Sequence, residues 1–460
     1  MLAPLLAAVS MAAAPAHDWT RFNYDAGRSG VYPYATGITA ANAGRLQRQR
    51  IQLDGTVDSS PIFLHDVTVG GARHDVLFVT TTYGKTLAID AANGHVLWRY
   101  VPPSYSSLAG TYRITNATPI ADPSRNAIYA AGPDGRIRKL SVSDGHELWS
   151  TAITLLPRRE KIAPALNFSH GQVIATTGGY VGDAPPYQGH VVTLRASTGK
   201  IAHVWNSLCS NRHVLINPSS CRSSDSAIWA RAGAVVEPNG RLLVATGNGP
   251  WNGRTDWGDS VLELSADAGR LSQNWTPRNQ AALESADADL GSTAPALLGS
   301  GLALQGGKDG KLRVLNLRRM NGTAHAAART GGELQTISTP GGSDLFTAPA
   351  VWHRGRTTWA FVANGAGTSA FRVVRGRLRR AWQNGHAGTS PVVAGGLLYV
   401  YDPDGSLRIY RPTTGGAVAT LPAGGGHWNS PIVVAGRIAL PEGDANDHRE
   451  SGVLGIYRLP

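Results

Sequence analysis

A module comes round repeatedly along this chain: an apolar strand, a hairpin carrying Asp-Gly or Asn-Gly, a second strand, then a turn and a Trp. Its clear copies are residues 76–98 (VLFVTTTYGKTLAIDAANGHVLW) and 127–149 (AIYAAGPDGRIRKLSVSDGHELW), and weaker ones end at Trp205, Trp275 and Trp382. Successive Trp positions lie 51, 56, 70 and 107 residues apart, so the last gap holds a module without its Trp, visible at residues 302–317. Short strands, frequent turn signals and a period near ~50 residues mark a propeller, whose four-stranded blades pack face to face around a channel. Helical periodicity is absent, and 55 Gly and 27 Pro with only 16% charged residues suit many short strands joined by tight turns.

A small-Pro element opens most modules, at Ser60-Pro61, Thr118-Pro119, Ala163-Pro164, Ala294-Pro295, Ala348-Pro349, Ser390-Pro391 and Ser430-Pro431, and Ile228-Trp229-Ala230 takes the equivalent place in one more. The count predicts an all-β chain with eight blades at residues 56–100, 114–150, 161–206, 226–276, 291–320, 344–383, 388–421 and 428–460. The last copy is truncated, so a strand from the segment near Asp18-Trp19 is expected to complete it and close the ring. The recurrent Trp is read as a packing residue between blades.

Residues 1–16 carry no charged side chain, are rich in Leu and Ala, and end Ala14-Pro15-Ala16, which predicts a signal peptide ahead of a single propeller domain at 17–460, in a periplasmic or secreted protein. No apolar run reaches the ~18 residues of a membrane span. Cys209 and Cys221 are expected to pair in an oxidising compartment, with free thiols as the alternative. The net charge of +12 invites a nucleic-acid reading, but the basic residues are dispersed. The densest run, Arg375, Arg377, Arg379 and Arg380, reads as the solvated face of an outer strand, so no nucleic-acid partner is expected. GxSxG, HExxH, GxxxxGK[ST] and DxDxDG signatures are all missing, and the acidic turn from Glu442 to His448 reads as a solvated connection.

The words LAIDAANGHVLW and LSVSDGHELW resemble the blade repeat of pyrroloquinoline quinone (PQQ) proteins, a repeat shared with non-catalytic assembly scaffolds. Residues 18–46 are similar to the opening of PQQ-dependent alcohol dehydrogenases, and residues 226–264 (SAIWARAGAVVEPNGRLLVATGNGPWNGRTDWGDSVLEL) resemble their most specific stretch. The resemblance implies that Trp229 forms the floor under a quinone ring and that Asn248 gives an amide oxygen to Ca²⁺ or a lanthanide, a hard cation that takes oxygen ligands. It further implies that Asp287 of the segment Asp287-Ala288-Asp289-Leu290-Gly291 is the base, that Asp289 is a second metal ligand, and that Lys308 faces the quinone oxygens.

Two departures stand against that pattern. Tyr180, in TTGGYVG, occupies the place of the metal-binding Glu, and the family's adjacent Cys pair is absent. No CxxCH haem motif exists, so electrons would leave through a separate acceptor. The resemblance thus carries two functions: an enzyme oxidising an alcohol or sugar with PQQ and a bound cation, or a propeller scaffold that holds a protein or cell-envelope partner.

Overall fold

The computed structural model describes residues 17–322 and 329–460, and the expected leader at 1–16 lies outside them. Eight sheets follow one another around an axis, each with four antiparallel strands running from an inner strand to an outer one, and Val31–Tyr32 adds a fifth, parallel strand inside blade 7. The inner strands are Ile62–Val69, Ile120–Ala121, Asn167–Ser169, Val235–Val236, Ala296–Gly299, Ala350–Arg354, Val392–Ala394 and Ile432–Val434 for blades 1 to 8. Each small-Pro element stands just before an inner strand, where a proline costs no ladder hydrogen bond. No helix among the described residues is long and apolar enough to cross a membrane.

The repeated Trp has a definite task. Trp98 donates its indole N–H to the Val142 carbonyl at 2.8 Å, Trp149 to Ala196 at 3.1 Å and Trp382 to Pro412 at 2.8 Å, in each case reaching into the next blade. There the ring lies on a turn glycine: a Cβ on Gly145, Gly199 or Gly415 would meet the indole at 2.6–2.7 Å. These glycines also hold φ near +71 to +75°, so both conformation and space demand that residue. One ring and one turn therefore lock neighbouring blades.

Two boundaries differ from expectation. Blade 5 ends on Gln335–Ser338, beyond the expected limit at 320, because a long connection precedes its outer strand and that strand carries no Trp. Blade 8 is completed not by the Asp18-Trp19 segment but by Gln47–Leu53, which pairs along its full length with Gly452–Arg458. Its Ile51 stands where a Trp would, since a Cβ on Gly94 of blade 1 would meet Ile51 Cδ1 at 2.1 Å.

The segment around Trp19 instead straps the base of the channel. Trp19 exchanges two main-chain hydrogen bonds with Phe63, Thr20 accepts from Ala121, Ala26 from Val236, Ser29 from Val351, Gly30 from Val393 and Thr36 from Gly436. Six inner-strand regions are thus tied to one peptide. Arg28 fills the strap's centre at 2% exposure, donating to the carbonyls of Phe22, Ala165, Leu166 and Ala232. The long insertion before blade 4 is closed by the Cys209–Cys221 disulfide, with Cα atoms 6.1 Å apart, as expected.

Candidate functional site

The opposite end of the channel holds a cavity of about 350 Å³. Four of its lining residues come from one position of the repeat, three residues before the proline of the small-Pro element: Asn116, Lys161, Phe346 and Trp428. Asp58 occupies the same position in blade 1 and stands behind His427. Because each inner strand starts at the same height, residues at this position converge on the axis from different blades. Trp229 comes from the matching segment of blade 4, and Gly178 gives it room, since a Cβ there would sit 3.0 Å from Trp229 Cβ.

Four of the five residues expected from sequence line this cavity together: Trp229, Asn248, Asp289 and Lys308. Lys308 Nζ lies 5.6 Å from the Trp229 ring centroid and 2.5 Å from Asp289 Oδ2. Asp289 Oδ1 accepts the Asn248 main-chain N–H at 2.7 Å. The Thr246-Gly247-Asn248 turn permits this approach, as a Cβ on Gly247 would lie 2.1 Å from that oxygen. Burial lowers the Lys308 pKa, but the Asp289 and Asp287 carboxylates outweigh it and hold the ammonium above its ordinary range. Asp287 itself stays at the rim, its side chain 63% exposed, with Oδ1 3.5 Å from Lys308 Nζ. Asp309, beside Lys308, pairs with Arg313 across its own hairpin and serves the turn.

The metal expectation meets a different arrangement. Both oxygens of Asp289 are taken, one by a main-chain N–H and one by an ammonium. Tyr180 is buried, and its hydroxyl lies 3.1 Å from the Pro157 carbonyl and 3.3 Å from that of Pro133, so burial pushes its phenol up and it supplies no anion. These residues as placed fit an ammonium ion rather than Ca²⁺ or a lanthanide, which wants several anionic oxygens. Among the described residues the one group of three His, Cys, Asp or Glu ligand atoms within 4.8 Å is Asp58, His427 and Asp444. Asp58 is fully engaged there: Oδ1 accepts Trp428 N–H at 2.6 Å, and Oδ2 faces Asn116 Nδ2 at 2.7 Å, His427 Nδ1 at 2.8 Å and Ala445 N–H at 3.3 Å. It orients His427 and leaves Nε2 without a partner among the described residues.

An aromatic stack roofs the cavity. Trp428 lies over Trp229 with centroids 5.7 Å apart and planes at 16°, and His427 stacks on Trp428 at 5.3 Å. Two rings that enclose a third stand about 7 Å apart, twice the ~3.5 Å carbon contact distance. A planar ligand between them must therefore push Trp428 outward by more than an ångström.

Lys161 was not anticipated. It belongs to the two-residue strand Glu160–Lys161, which pairs with Gly178–Gly179. Adjacent side chains of a strand face opposite ways. Glu160 turns into blade 3, where His190 Nε2 is 3.0 Å from Oε1, while Lys161 turns to the cavity. At 7% exposure its ammonium makes no hydrogen bond or ion pair among the described residues. Burial pulls it down to about 8, against the opposing pull of Asp58 and Asp444. Nearby, Arg231 is 4% exposed with both terminal nitrogens unpartnered, and lies 5.7 Å from the Trp428 centroid and 5.2 Å from that of Phe22. Lys161, Asn116, Phe346 and Trp428 were legible as a set, because the element that counts the blades also fixes the position that faces the axis.

A family model described as outer membrane protein assembly factor BamB matches residues 48–212 and 229–420. Quinohemoprotein alcohol dehydrogenase ADH IIB of Pseudomonas putida is 25% identical over 249 residues, which is 49% of this chain and 34% of that protein. The chain spans 22–34% of the length of the curated relatives it matches, all of them alcohol or polyvinylalcohol dehydrogenases. A europium-containing methanol dehydrogenase superposes with a TM-score of 0.70 at 15% identity, covering 96% of this chain and 98% of the other. BamB from Moraxella catarrhalis gives 0.57 at 13% identity, covering 90% and 97%. At these identities the structural likeness establishes the eight-bladed fold.

Proposed function

Because the chain belongs to the propeller family whose model is described as outer membrane protein assembly factor BamB, and its curated relatives are quinone-dependent alcohol dehydrogenases, we propose that its channel cavity binds PQQ in an exported quinoprotein-type dehydrogenase. The observation that carries this reading is the indole of Trp229 with the Lys308 ammonium 5.6 Å from its centroid, in a cavity that also buries an unpartnered amine. A flat aromatic floor suits a planar ring, and Lys161 and Lys308 suit its carboxylates and quinone oxygens. The volume lies within the usual ~300–1,000 Å³ of cofactor sites. When bound, the quinone supplies a two-electron acceptor for the hydride of an alcohol or sugar. Asp289 holds Lys308 in place. In this reading Asp287, at the rim with Oδ1 3.5 Å from Lys308 Nζ, takes the substrate hydroxyl proton. The Cys209–Cys221 disulfide supports export to an oxidising compartment.

Titration of the purified protein with PQQ, following Trp fluorescence with and without Ca²⁺ or a lanthanide, tests the reading. Saturable quenching is expected, weakened about tenfold or more by Trp229→Ala. Since Asp289 is already neutralised by Lys308, added metal should change the affinity by less than about threefold. Absence of saturation under every condition overturns the reading. The scaffold reading would then stand, and one observation favours it: the Tyr180 hydroxyl is turned to main-chain carbonyls where the enzymes' pattern has a metal-binding Glu.

A further inference from the structure

The cavity brings together two groups that quinone binding does not need in combination, an amine without a partner and an imidazole held by a buried carboxylate. We propose that Lys161 is a carbonyl-reactive nucleophile, forming an imine with small aldehydes or ketones that enter the cavity, with His427 as its proton donor. The inference does not depend on PQQ being bound.

Four observations support it. Lys161 lines the cavity at 7% exposure and has no hydrogen bond or ion pair, whereas Lys85, Lys139 and Lys308 pair with Asp54, Asp122 and Asp289. Its strand neighbour Glu160 is directed to His190 and leaves the ammonium uncompensated. Asp58 and Asp444, the carboxylates that hold His427 Nδ1 at 2.8 and 3.4 Å, are also the two whose charges reach Lys161. Phe346, Trp229 and Trp428 supply apolar walls for an aldehyde's side chain. A desolvated lysine is the usual imine-forming nucleophile, because burial frees its lone pair near neutral pH.

The chemistry balances without an oxidant. The Nζ lone pair attacks the carbonyl carbon, a C–N bond forms as the C=O π bond breaks, and the proton that Nζ gives up passes to the oxygen to give a carbinolamine. The departing hydroxyl takes a proton from His427 Nε2, water leaves, and the C=N bond forms. The titratable groups that line the cavity with Lys161 are Tyr180, Asp183, Tyr187, Asp289, Lys308 and His427, and the charges of Asp58 and Asp444 reach it as well.

The test is reductive trapping on the full chain with benzaldehyde and cyanoborohydride, read by peptide mass spectrometry. At pH 7.5 an amine titrating near 8 carries on the order of 100-fold more free base than an exposed lysine near ~10.4. Lys161 should therefore be modified at least about tenfold faster than the exposed Lys200 and Lys311. Its rate should level off above pH 9, while theirs keep rising about tenfold per unit. His427→Gln should slow Lys161 several-fold without moving the midpoint, and Lys161→Met should remove only that adduct; circular dichroism confirms that both variants fold. Labelling of Lys161 no faster than Lys200 overturns the proposal, and an unchanged rate in His427→Gln overturns the part given to His427. The PQQ titration is read separately: quinone binding beside an inert Lys161 sinks this inference alone, and a fast Lys161 in a protein that ignores PQQ sinks the quinone reading alone.

Discussion

At the base of the channel, Arg28 is 2% exposed and gives its guanidinium to four main-chain carbonyls; towards the top, Lys161 is 7% exposed and gives its ammonium to none. Burial pulls both cations down, Arg28 to about 9 and Lys161 to about 8, yet only Arg28 has hydrogen-bond acceptors for its charge. A buried charge without partners costs several kcal/mol. Arg28 is thus a fastening of the fold, and Lys161 a cost that the fold bears at its cavity. Arg231 lies between the two cases, with no hydrogen bond at its terminal nitrogens but two ring contacts.

The contrast breaks most visibly at the fastening. Arg28→Met leaves the carbonyls of Phe22, Leu166 and Ala232 without donors and should cost about 3–5 kcal/mol in urea unfolding; a loss under ~1 kcal/mol would mean the strap does not depend on it. At the cavity the sign reverses. The folded pKa of Lys161, about 8, lies below its unfolded ~10.4, so the unfolded chain holds more protons between those values and wild-type stability rises with pH there. Below pH 8 the penalty is fully present, and Lys161→Met should be more stable than wild type by up to about 3 kcal/mol. The gap should close by about pH 10.5; a gap that stays constant from pH 7 to 10 would show that Lys161 is not charged at the cost described. Arg231→Met should give the smallest change, a gain of about 1 kcal/mol, because ring contacts worth ~0.5–2 kcal/mol each already offset part of its burial. A loss above ~2 kcal/mol would place Arg231 with Arg28.

The same division governs what the sequence revealed. Blades 1 and 2 were readable from Trp98 and Trp149 because each indole needs a glycine turn in the next blade, which leaves a paired signal. The closing strand Gln47–Leu53, QRQRIQL, has one solvated face and no Trp, so its alternation of polar residues gave no sign of a blade. Trp229, Asn248, Asp289 and Lys308 were found through family resemblance and do meet in one cavity. Resemblance could not show that Asp289 would be neutralised by Lys308, since that ion pair depends on a rotamer. Lys161 escaped for a different reason. The seven small-Pro elements mark the blades, and the position three residues earlier reaches the cavity in only four of them, so the repeat alone does not single out Lys161.

The ring closure imposes an order of events. Gln47–Leu53 is made about 400 residues before the strand it pairs with, Gly452–Arg458. At ribosomal rates of about 5–20 residues per second, that strand waits on the order of 20–80 s with no partner. Its alternating Gln and Arg side chains suit this interval, because charged strands resist pairing with strangers. Blade 8 can form only after every other blade has been synthesised, so closure of the ring reports that all eight blades have been made.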